Sequence, residues 1–377
     1  MKLFVAREID SAETRIAILP TDIDKFIKLG IDIEVEEDLG KSINFLDNDF
    51  KEAGAQISTN RNKSLSQADI VIRINPPSFE DIQCLKEGCI HLSYMDPFNQ
   101  SDIIRKFAAQ MTSAISLEMI PRTTIAQKMD ILSSQANLAG YAAVILAAES
   151  LPTILPMMMT PAGTLAPARV FIIGAGVAGL QAIATAKRLG ARVSAFDVRP
   201  EAHEQIRSLG AESVQVDLGE TEQTNDGYAK QINDEQLEIQ RQVMAQQCAQ
   251  SDIVITTAQV FGKKAPLIVT NEMLDTMKAG SIVVDLAVST GGNVEASQLG
   301  KRIERKGVAI IGYPELQRHV PLPASQMLSS NLYNFIEHFW NKETNSLRLD
   351  RDDEIIKGCL VTDKGQVVHS AVSQIIT

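Results

Sequence analysis

The chain has 377 residues, enough for two domains of ordinary size, and its 45% hydrophobic and 22% charged residues are typical of a soluble globular protein. The formal net charge of -11 argues against nucleic acid as a partner, because no basic face could dominate the surface. The four cysteines, Cys84, Cys89, Cys248 and Cys359, have neither CxxC nor metal-ligand spacing, so we expect a reducing compartment and no metal site.

The sequence predicts neither a signal peptide nor a membrane span. The N-terminal segment MKLFVAREIDSAETR acquires charges at once and lacks an apolar h-region. The longest apolar stretch, residues 141–163, is interrupted by Glu149 and by prolines. Such a segment does not fit the length and continuity that a spanning helix needs.

The N-terminal third of the chain alternates strand-like and helical patterns. Short β-rich runs lie at 2–7, 32–37, 69–75 and 89–95, and the segment TDIDKFIKLG has a helical pattern. Alternation of this kind indicates an α/β layer structure with a parallel sheet. We therefore predict a first α/β domain over residues 1–135.

Residues 121–141, PRTTIAQKMDILSSQANLAGY, read as a helix with an unusual number of short hydrogen-bonding side chains. A surface helix would use Lys and Glu for polarity, and a buried helix would use Leu and Ala. Gln127, Asp130 and Ser133 follow one another at i+3 steps, which predicts that they sweep around one side of the helix. This polarity suggests a binding role.

A purely structural alternative exists for the same segment. Thr124 and Gln127 have the spacing of a capping box at a helix start. Ser134 and Asn137 would then contact only the backbone. Both explanations remain open on these residues alone.

A second alternating run begins at residue 168 with ARVFIIGAGVAGLQAIATAKRLGARVSAFDVR and continues through SDIVITTA, GSIVVDLA and GVAIIGY. This pattern predicts a second doubly wound sheet over residues 136–325. The tail, residues 326–377, holds the helical run SSNLYNFIEHFW and two β-like pieces, GCLVT and QVVHS, and we expect it to complete the first domain. The predicted fold class is α/β, with two Rossmann-like doubly wound parallel-sheet domains.

The segment VFIIGAGVAG has the GxGxxG spacing of a dinucleotide-binding turn between a strand and a helix. Gly174 permits the tight turn, Gly176 lets the backbone approach a pyrophosphate, and Gly179 lets the helix pack closely on the strand. The helix start at Val177 and Ala178 offers free N–H groups and the positive end of the helix dipole to phosphates. The strand–turn–helix context makes this signal much stronger than the motif alone.

Asp197 ends the next strand, 21 residues after Gly176 (197 − 176). A carboxylate at this position accepts hydrogen bonds from the adenosine ribose hydroxyls and repels a 2′-phosphate. We therefore predict a preference for NAD(H) over NADP(H). Val198 and Arg199 follow in the same predicted site, and the cation of Arg199 weakens the inference about preference.

Residues 219–250 begin with a polar half that contains the turn signal Asn225-Asp226-Gly227 and end in a helical pattern. We predict a long exposed loop before a helix. Loops of this size are usually functional or disordered. A tolerated surface insertion is the alternative.

With these motifs in place, the chain resembles the nucleotide-binding alpha subunit of proton-translocating nicotinamide nucleotide transhydrogenase, in the alanine dehydrogenase/transhydrogenase family. The resemblance runs nearly end to end, through REIDSAETRIAILP, QKMDILSSQANLAGY, MMMTPAGTLAPARVFIIGAGVAGLQ, the GGN at 291–293 and TDKGQVVH. It implies a homodimeric oxidoreductase that binds NAD(H). Hydride would pass to or from NADP(H) on a partner subunit, and membrane-spanning subunits would couple the transfer to proton translocation.

The resemblance also implies roles for individual residues. Arg122, Gln127, Asp130 and Ser133 match positions that surround the nicotinamide carboxamide and the adjoining ribose. A carboxamide needs both donors and acceptors, which these side chains supply. Tyr228 matches a tyrosine at the tip of a mobile loop that folds over bound nucleotide and excludes water.

The segment ITTAQVFGKKAP resembles the portion of the family that passes near the nicotinamide, so Thr257 and Ala258 are expected to contact the cofactor, mainly through the backbone. Two departures are notable. PELQRH at 314–319 stands where the family usually has TDLPSR, and Ile125 replaces a polar residue often seen there.

Two other functions compete with this interpretation. An alanine dehydrogenase needs a base and a cation for its keto acid. The places of the lysine and histidine of that enzyme read Arg73-Ile74-Asn75 and Tyr94-Met95-Asp96, and His91 alternates into the strand as a structural residue. Hydride exchange between two nicotinamide rings needs alignment and closeness instead. A non-catalytic NAD-sensing subunit is the second competitor.

The chain ends at Thr377 without predicted membrane helices. If the resemblance holds, the NADP(H)-binding and membrane components come from other chains. The protein would then be cytoplasmic and peripheral, held on the inner face of the cell membrane through those partner subunits.

Overall fold

The computed structural model describes residues 1–216, 234–259 and 262–376. The chain divides into two compact units, Met1–Gln135 with Arg318–Thr377, and Ala136–Gln317. Both are α/β units whose sheets are dominated by parallel strands, which confirms the predicted fold class. The chain returns to the first unit at Arg318, earlier than the predicted position 326.

The elements have the following bounds. In chain order the strands are β1 (Lys2–Val5), β2 (Asp32–Glu36), β3 (Gln56–Ser58), β4 (Ile70–Ile72), β5 (Ile90–Ser93), β6 (Ser113–Ser116), β7 (Met158–Thr160), β8 (Gly163–Leu165), β9 (Arg169–Ile173), β10 (Arg192–Phe196), β11 (Glu212–Ser213), β12 (Ile253–Thr256), β13 (Ile282–Asp285), β14 (Lys301–Arg305), β15 (Val308–Gly312), β16 (Trp340–Asn341), β17 (Ser346–Leu347), β18 (Leu360–Asp363) and β19 (Gln366–Val367). The helices are α1 (Pro20–Lys28), α2 (Asp47–Glu52), α3 (Arg61–Gln67), α4 (Phe79–Cys84), α5 (Ser101–Ala109), α6 (Ile131–Ser150), α7 (Val177–Arg188), α8 (Pro200–Ser208), α9 (Asp234–Gln250), α10 (Asn271–Thr276), α11 (Pro321–Phe339), α12 (Glu354–Cys359) and α13 (Ser370–Ile376).

The first unit is built on a sheet in the order β19-β18-β6-β5-β4-β1-β2-β3. Strands β1 to β6 are parallel to their neighbours, and the two tail strands are antiparallel additions at one edge. The strand order reverses between β1 and β4. The carboxyl ends of strands at such a reversal form the usual binding crevice of an open α/β sheet.

The second unit has a sheet in the order β11-β10-β9-β12-β13-β15-β14, with β14 antiparallel at one edge. Its central strands are buried on both faces, as their nearly continuous apolar sequences require. On β9 the alternating residues Val170 and Ile172 join one core cluster, and Phe171 and Ile173 join the other. The order again reverses next to β9, at the strand that leads into the glycine turn.

The polar segment 121–141 is not a single helix. A 3-10 turn covers Ile125–Met129, Asp130 has non-helical φ and ψ of -71° and 90°, and α6 begins at Ile131. The predicted arrangement of Gln127, Asp130 and Ser133 around one side of a helix is therefore wrong. The side chain of Asp130 bonds the start of α6, and such local bonds compete with continued helix.

Helix α6 continues to Ser150 and is apolar on nearly every side. Within the described residues it is the helix long and apolar enough to cross a membrane, judged by length and composition alone, and 44% of it is buried inside the protein. Its residues Ala142, Ala143, Val144 and Ala147 pack in the core of the second unit. A helix that is apolar all round is expected in such a core.

The tail matches its predicted elements with shifted limits. The predicted helical run lies within α11, which begins earlier, at Pro321. Gly358 and Cys359 end α12 instead of opening a strand, and the strand starts at Leu360. The predicted helix after the long loop is α9, whereas the loop itself lies outside the described residues.

Candidate functional site

The glycine turn of the second unit connects β9 to α7 with little room to spare. Gly174 has φ +98°, and a Cβ there would lie 2.5 Å from Thr257 Oγ1. A Cβ on Gly179 would lie 1.8 Å from the carbonyl oxygen of Gly174, so the start of α7 rests directly on the turn. A Cβ on Gly176 would meet nothing within 4 Å. Two of the glycines are thus required by packing, and the third faces open space.

The start of α7 presents backbone donors. Gly176 is the N-cap residue and supplies no side-chain acceptor. The N–H of Leu180 donates to the Gly176 carbonyl at 2.8 Å, the first bond of the helix. The N–H groups of Val177, Ala178 and Gly179 precede that bond, and such groups have no acceptor within a helix. This end of α7 can therefore bind an anion beside the open space at Gly176.

Asp197 lies at the end of β10 and is largely buried. Its Oδ2 accepts from the N–H of Ala175 at 2.7 Å, which ties the carboxylate to the glycine turn. Arg199 donates to Oδ1 from its backbone N–H and Nε, both at 2.9 Å, and to Oδ2 from Nη2 at 3.0 Å. Burial alone would raise the pKa of Asp197, but these bonds outweigh it and hold the pKa below its usual value. Val198, between the two, is exposed.

The loop after β12 is fixed by residues that the sequence patterns alone did not single out. Thr257 donates from its hydroxyl to the Gly174 carbonyl at 3.0 Å. The amide of Asn293 holds the backbone of Ala258 from both sides, accepting from its N–H at 3.0 Å and donating to its carbonyl at 2.8 Å. The buried carboxylate of Asp285 in turn accepts from the N–H of Asn293. The GGN at 291–293 was the available signal, and its last residue positions this loop.

Gly140 is a second residue that sequence reasoning did not select. A Cβ at this position of α6 would lie 2.1 Å from the carbonyl oxygen of Ala178. The backbone of α6 therefore approaches the start of α7 as closely as backbone atoms allow. Any larger residue at 140 would displace the anion-binding end of α7.

In the first unit, Asp130 and Ser133 form the actual cap of α6. Asp130 accepts from the Ser133 N–H at 2.9 Å and from the Ser133 hydroxyl at 2.5 Å. Arg122 Nε lies 3.8 Å from Asp130 Oδ2, and its side chain is largely exposed. The structure thus brings three of the four predicted nicotinamide residues of this segment together.

Gln127, the fourth, is exposed in the 3-10 turn and takes no part in the cap of α6. The alternative capping box is wrong as well, because Thr124 makes no side-chain cap bond. Ser134 does bond the backbone, at Ile131, and also the side chain of Asn331. The capping explanation therefore holds for this segment, but at Asp130 and Ser133.

A cleft of about 690 Å³ opens at the carboxyl ends of the strands in the first unit. Glu13 and Arg15 form a buried pair there, with Nε and Nη2 of Arg15 at 2.8 and 2.6 Å from the two carboxylate oxygens. Asn75 and Arg318 also contact Glu13, at 3.0 and 3.1 Å. Burial would raise the pKa of Glu13, but the bonds from Arg15 and its other partners lower it. The PELQRH departure thus contributes Arg318 to an ordered ion-pair cluster.

The other residues compared with alanine dehydrogenase are structural in this chain. Arg73 is buried and pairs with Asp81 at 2.7 Å. His91 is enclosed against Phe107, and burial lowers its pKa to about 3, so it remains neutral. Asp96 accepts from the side chain of Asn99 within a turn. Tyr228 lies outside the described residues.

Comparisons with known proteins cover the whole chain. The family model "Alanine dehydrogenase/PNT, N-terminal domain" matches residues 4–139, and "Alanine dehydrogenase/PNT, C-terminal domain" matches residues 143–370. The chain is 40% identical over 99% of both chains to the first of the separate parts of NAD(P) transhydrogenase subunit alpha in Rhodospirillum rubrum. It is 38% identical to NAD(P) transhydrogenase subunit alpha of Haemophilus influenzae, over all of this chain and 73% of that protein. A transhydrogenase structure from Sinorhizobium meliloti superposes with a TM-score of 0.86 at 40% identity, covering 98% of this chain and 100% of the other.

Proposed function

The chain belongs to the alanine dehydrogenase/PNT family, and on that premise we propose that it is the NAD(H)-binding subunit of a proton-translocating NAD(P) transhydrogenase. The full-length similarity at 38–40% identity supports an oxidoreductase of the transhydrogenase branch with a nicotinamide dinucleotide as cofactor. Hydride would pass directly between NAD(H) on this subunit and NADP(H) on a partner subunit. Membrane subunits would couple that transfer to proton translocation.

The observation that carries the proposal is the open space at Gly176, beside the free donors of α7 and within one turn of Asp197. A pyrophosphate needs a close backbone approach and N–H donors, which this turn supplies. The buried carboxylate is fixed to the same turn through Ala175. Together these features fit the phosphate and ribose of NAD(H).

The first-unit cleft supports direct hydride transfer over an alanine dehydrogenase reaction. A keto acid would need a cation that is not already neutralised and a base to move a proton. Arg15 is held by Glu13 through both of its donor edges, and Arg61 pairs with Asp81. Asn75 stands in the place of a lysine and is bonded to Glu13. Transfer between two rings requires only their alignment.

For the nicotinamide end we propose Arg122, Gln127, Asp130 and Ser133 as positioning residues, with Tyr228 on a covering loop. Asp130 and Ser133 offer an acceptor and a hydroxyl in a fixed arrangement at the start of α6. Gln127 is exposed and uncommitted to the cap, so its amide can meet a carboxamide. We further propose that Thr257 and Ala258 contribute to the cofactor-binding surface.

The proposed partners follow from the names of the relatives. The Rhodospirillum rubrum protein is named as one portion of an alpha subunit, and such a name implies further portions on other chains. We propose that this chain forms a homodimer and associates with NADP(H)-binding and membrane-spanning subunits. It would then be cytoplasmic and peripheral, on the inner face of the cell membrane.

The proposed roles can be tested by mixing the purified chain with an NADP(H)-binding partner subunit and measuring single-turnover hydride transfer. Gln127→Ala should slow transfer on the order of a hundredfold, since a misplacement of about 1 Å has that effect on a near-contact reaction. Its NADH affinity and thermal stability should change little, because its side chain supports no cap. Asn62→Ala, another exposed amide of the first unit, is the control and should transfer normally.

Each competing function has its own outcome in this experiment. A chain that binds NADH but never transfers hydride in the presence of partners would be a sensing subunit. Oxidation of alanine in the absence of any partner would indicate an alanine dehydrogenase. Normal transfer in Gln127→Ala would remove that residue from the nicotinamide site.

A further inference from the structure

The carboxylate of Asp197 has no acceptor site to spare. A carboxylate offers about four lone-pair sites. On Oδ1, two are taken by the backbone N–H and Nε of Arg199, and on Oδ2, two are taken by the Ala175 N–H and by Nη2 of Arg199. Two of these donors belong to the backbone, and two belong to the Arg199 guanidinium.

The hydroxyl pair of an adenosine ribose is also a set of two donors. It can bind Asp197 only if two existing donors leave. The backbone donors cannot leave, because Ala175 lies in the glycine turn and the Arg199 N–H is tied to the chain. The guanidinium can leave, since the Arg199 side chain is 56% exposed and its two bonds are the replaceable ones. The ribose and the guanidinium are therefore alternatives on one carboxylate.

From this geometry we propose that Arg199 is an internal competitor for the adenosine ribose site and that it narrows the discrimination between NAD(H) and NADP(H). The inference rests on the proposed binding of NAD(H) in the second unit. With NAD(H), the ribose diol must displace a two-point ion pair, which reduces affinity. With NADP(H), the guanidinium can instead bind the 2′-phosphate, so it offsets the repulsion from Asp197. Arg199 thus weakens the favoured ligand and assists the disfavoured one.

The electrostatics around Arg199 agree with this assignment. The bonds to Asp197 raise the pKa of Arg199, so the side chain remains a cation throughout the working pH range. Removing it would leave Asp197 in place, because the bonds from Ala175 and from the backbone of residue 199 do not depend on the side chain. The variant therefore exposes two acceptor sites that are already in position.

The test compares dissociation constants for NADH and NADPH, measured by fluorescence titration of the full chain. Arg199→Ala should bind NADH about three- to tenfold more tightly and NADPH more weakly, so that the ratio of the two constants increases at least about tenfold. Arg199→Lys, which keeps the charge but loses the two-point fork, should lie between the wild type and Arg199→Ala. Arg207→Ala, an exposed arginine of α8, makes the same change in charge and should leave both constants unaltered.

Salt provides an independent readout. Since Arg199 is more than half exposed, its pair with Asp197 weakens as ionic strength rises. The difference between wild type and Arg199→Ala in NADH affinity should therefore shrink in about 1 M NaCl, where the screening length is only about 3 Å. Unchanged or weaker NADH binding by a folded Arg199→Ala protein would overturn the competitor role. Failure of the wild-type chain to bind NADH would instead overturn the proposed function on which this inference depends.

Discussion

Gly176 and Gly179 lie three residues apart in one turn, yet the structure predicts opposite consequences for the same substitution. A Cβ at Gly179 would lie 1.8 Å from the Gly174 carbonyl oxygen, far inside any contact distance, and both atoms belong to the backbone. Neither can rotate away, so α7 or the turn must move. Overpacking generally costs about 1–3 kcal/mol, and a backbone clash of this depth belongs at or above the upper end.

A Cβ at Gly176 would meet nothing within 4 Å, and the residue has φ -75° and ψ -168°, which any amino acid adopts. Gly176→Ala should therefore fold normally and gain up to about 1 kcal/mol from the reduced freedom of its unfolded chain. The added methyl group would stand where the pyrophosphate approaches the backbone. We expect NADH affinity to fall at least tenfold, which corresponds to about 1.4 kcal/mol.

The assay is thermal melting together with NADH titration on both variants. Gly179→Ala should lower the melting temperature by roughly 6–12 °C, given about 2–4 °C per kcal/mol for units of this size. Gly176→Ala should melt at or slightly above the wild-type temperature while losing affinity. If Gly176→Ala bound NADH as well as the wild type, the open space would not be the phosphate site. If Gly179→Ala melted normally, the reasoning about the turn would be refuted.

Three further changes test other regions of the structure. Asp130→Ala and Ser133→Ala should each reduce stability by about 1 kcal/mol in thermal melting, because they remove the cap of α6; unchanged melting would contradict the cap. Asn293→Ala should destabilise the second unit by about 2 kcal/mol or more and weaken NADH binding, since it leaves the buried polar backbone of Ala258 unpaired; normal melting would contradict that role. Hydrogen bonds and charges from Arg61 and Arg73 lower the pKa of Asp81 against an opposing effect of burial, so its stabilisation is complete above about pH 4 and is lost as pH falls through the folded pKa. Asp81→Asn should therefore be less stable at about pH 7 and show a shallower loss of stability below about pH 4 in acid titration; an unchanged acid profile would contradict this assignment.

The sequence predicted the second unit well because its signals are local. Strand, glycine turn and helix follow one another within residues 169–188, and each glycine has a role that its spacing already suggests. The contacts of Asn293 and Gly140 could not be predicted in the same way. Asn293 acts on Ala258, 35 residues away in sequence, and Gly140 is explained only by the Ala178 carbonyl against which it packs. Such contacts arise from the fold and leave no periodic trace.

The segment before α6 shows a different limit of sequence reasoning. Asp130 and Ser133 stand out in the sequence because they are short, polar and close together, and those same properties make a good helix cap. In the structure each bonds the other, yet Asp130 retains lone pairs and lies 3.8 Å from the Arg122 side chain. A residue type therefore cannot separate a cap from a ligand-positioning group when one carboxylate can serve both. Gln127 can separate them, because it takes no part in the cap, and a loss of hydride transfer in Gln127→Ala without a loss of stability would have no structural explanation.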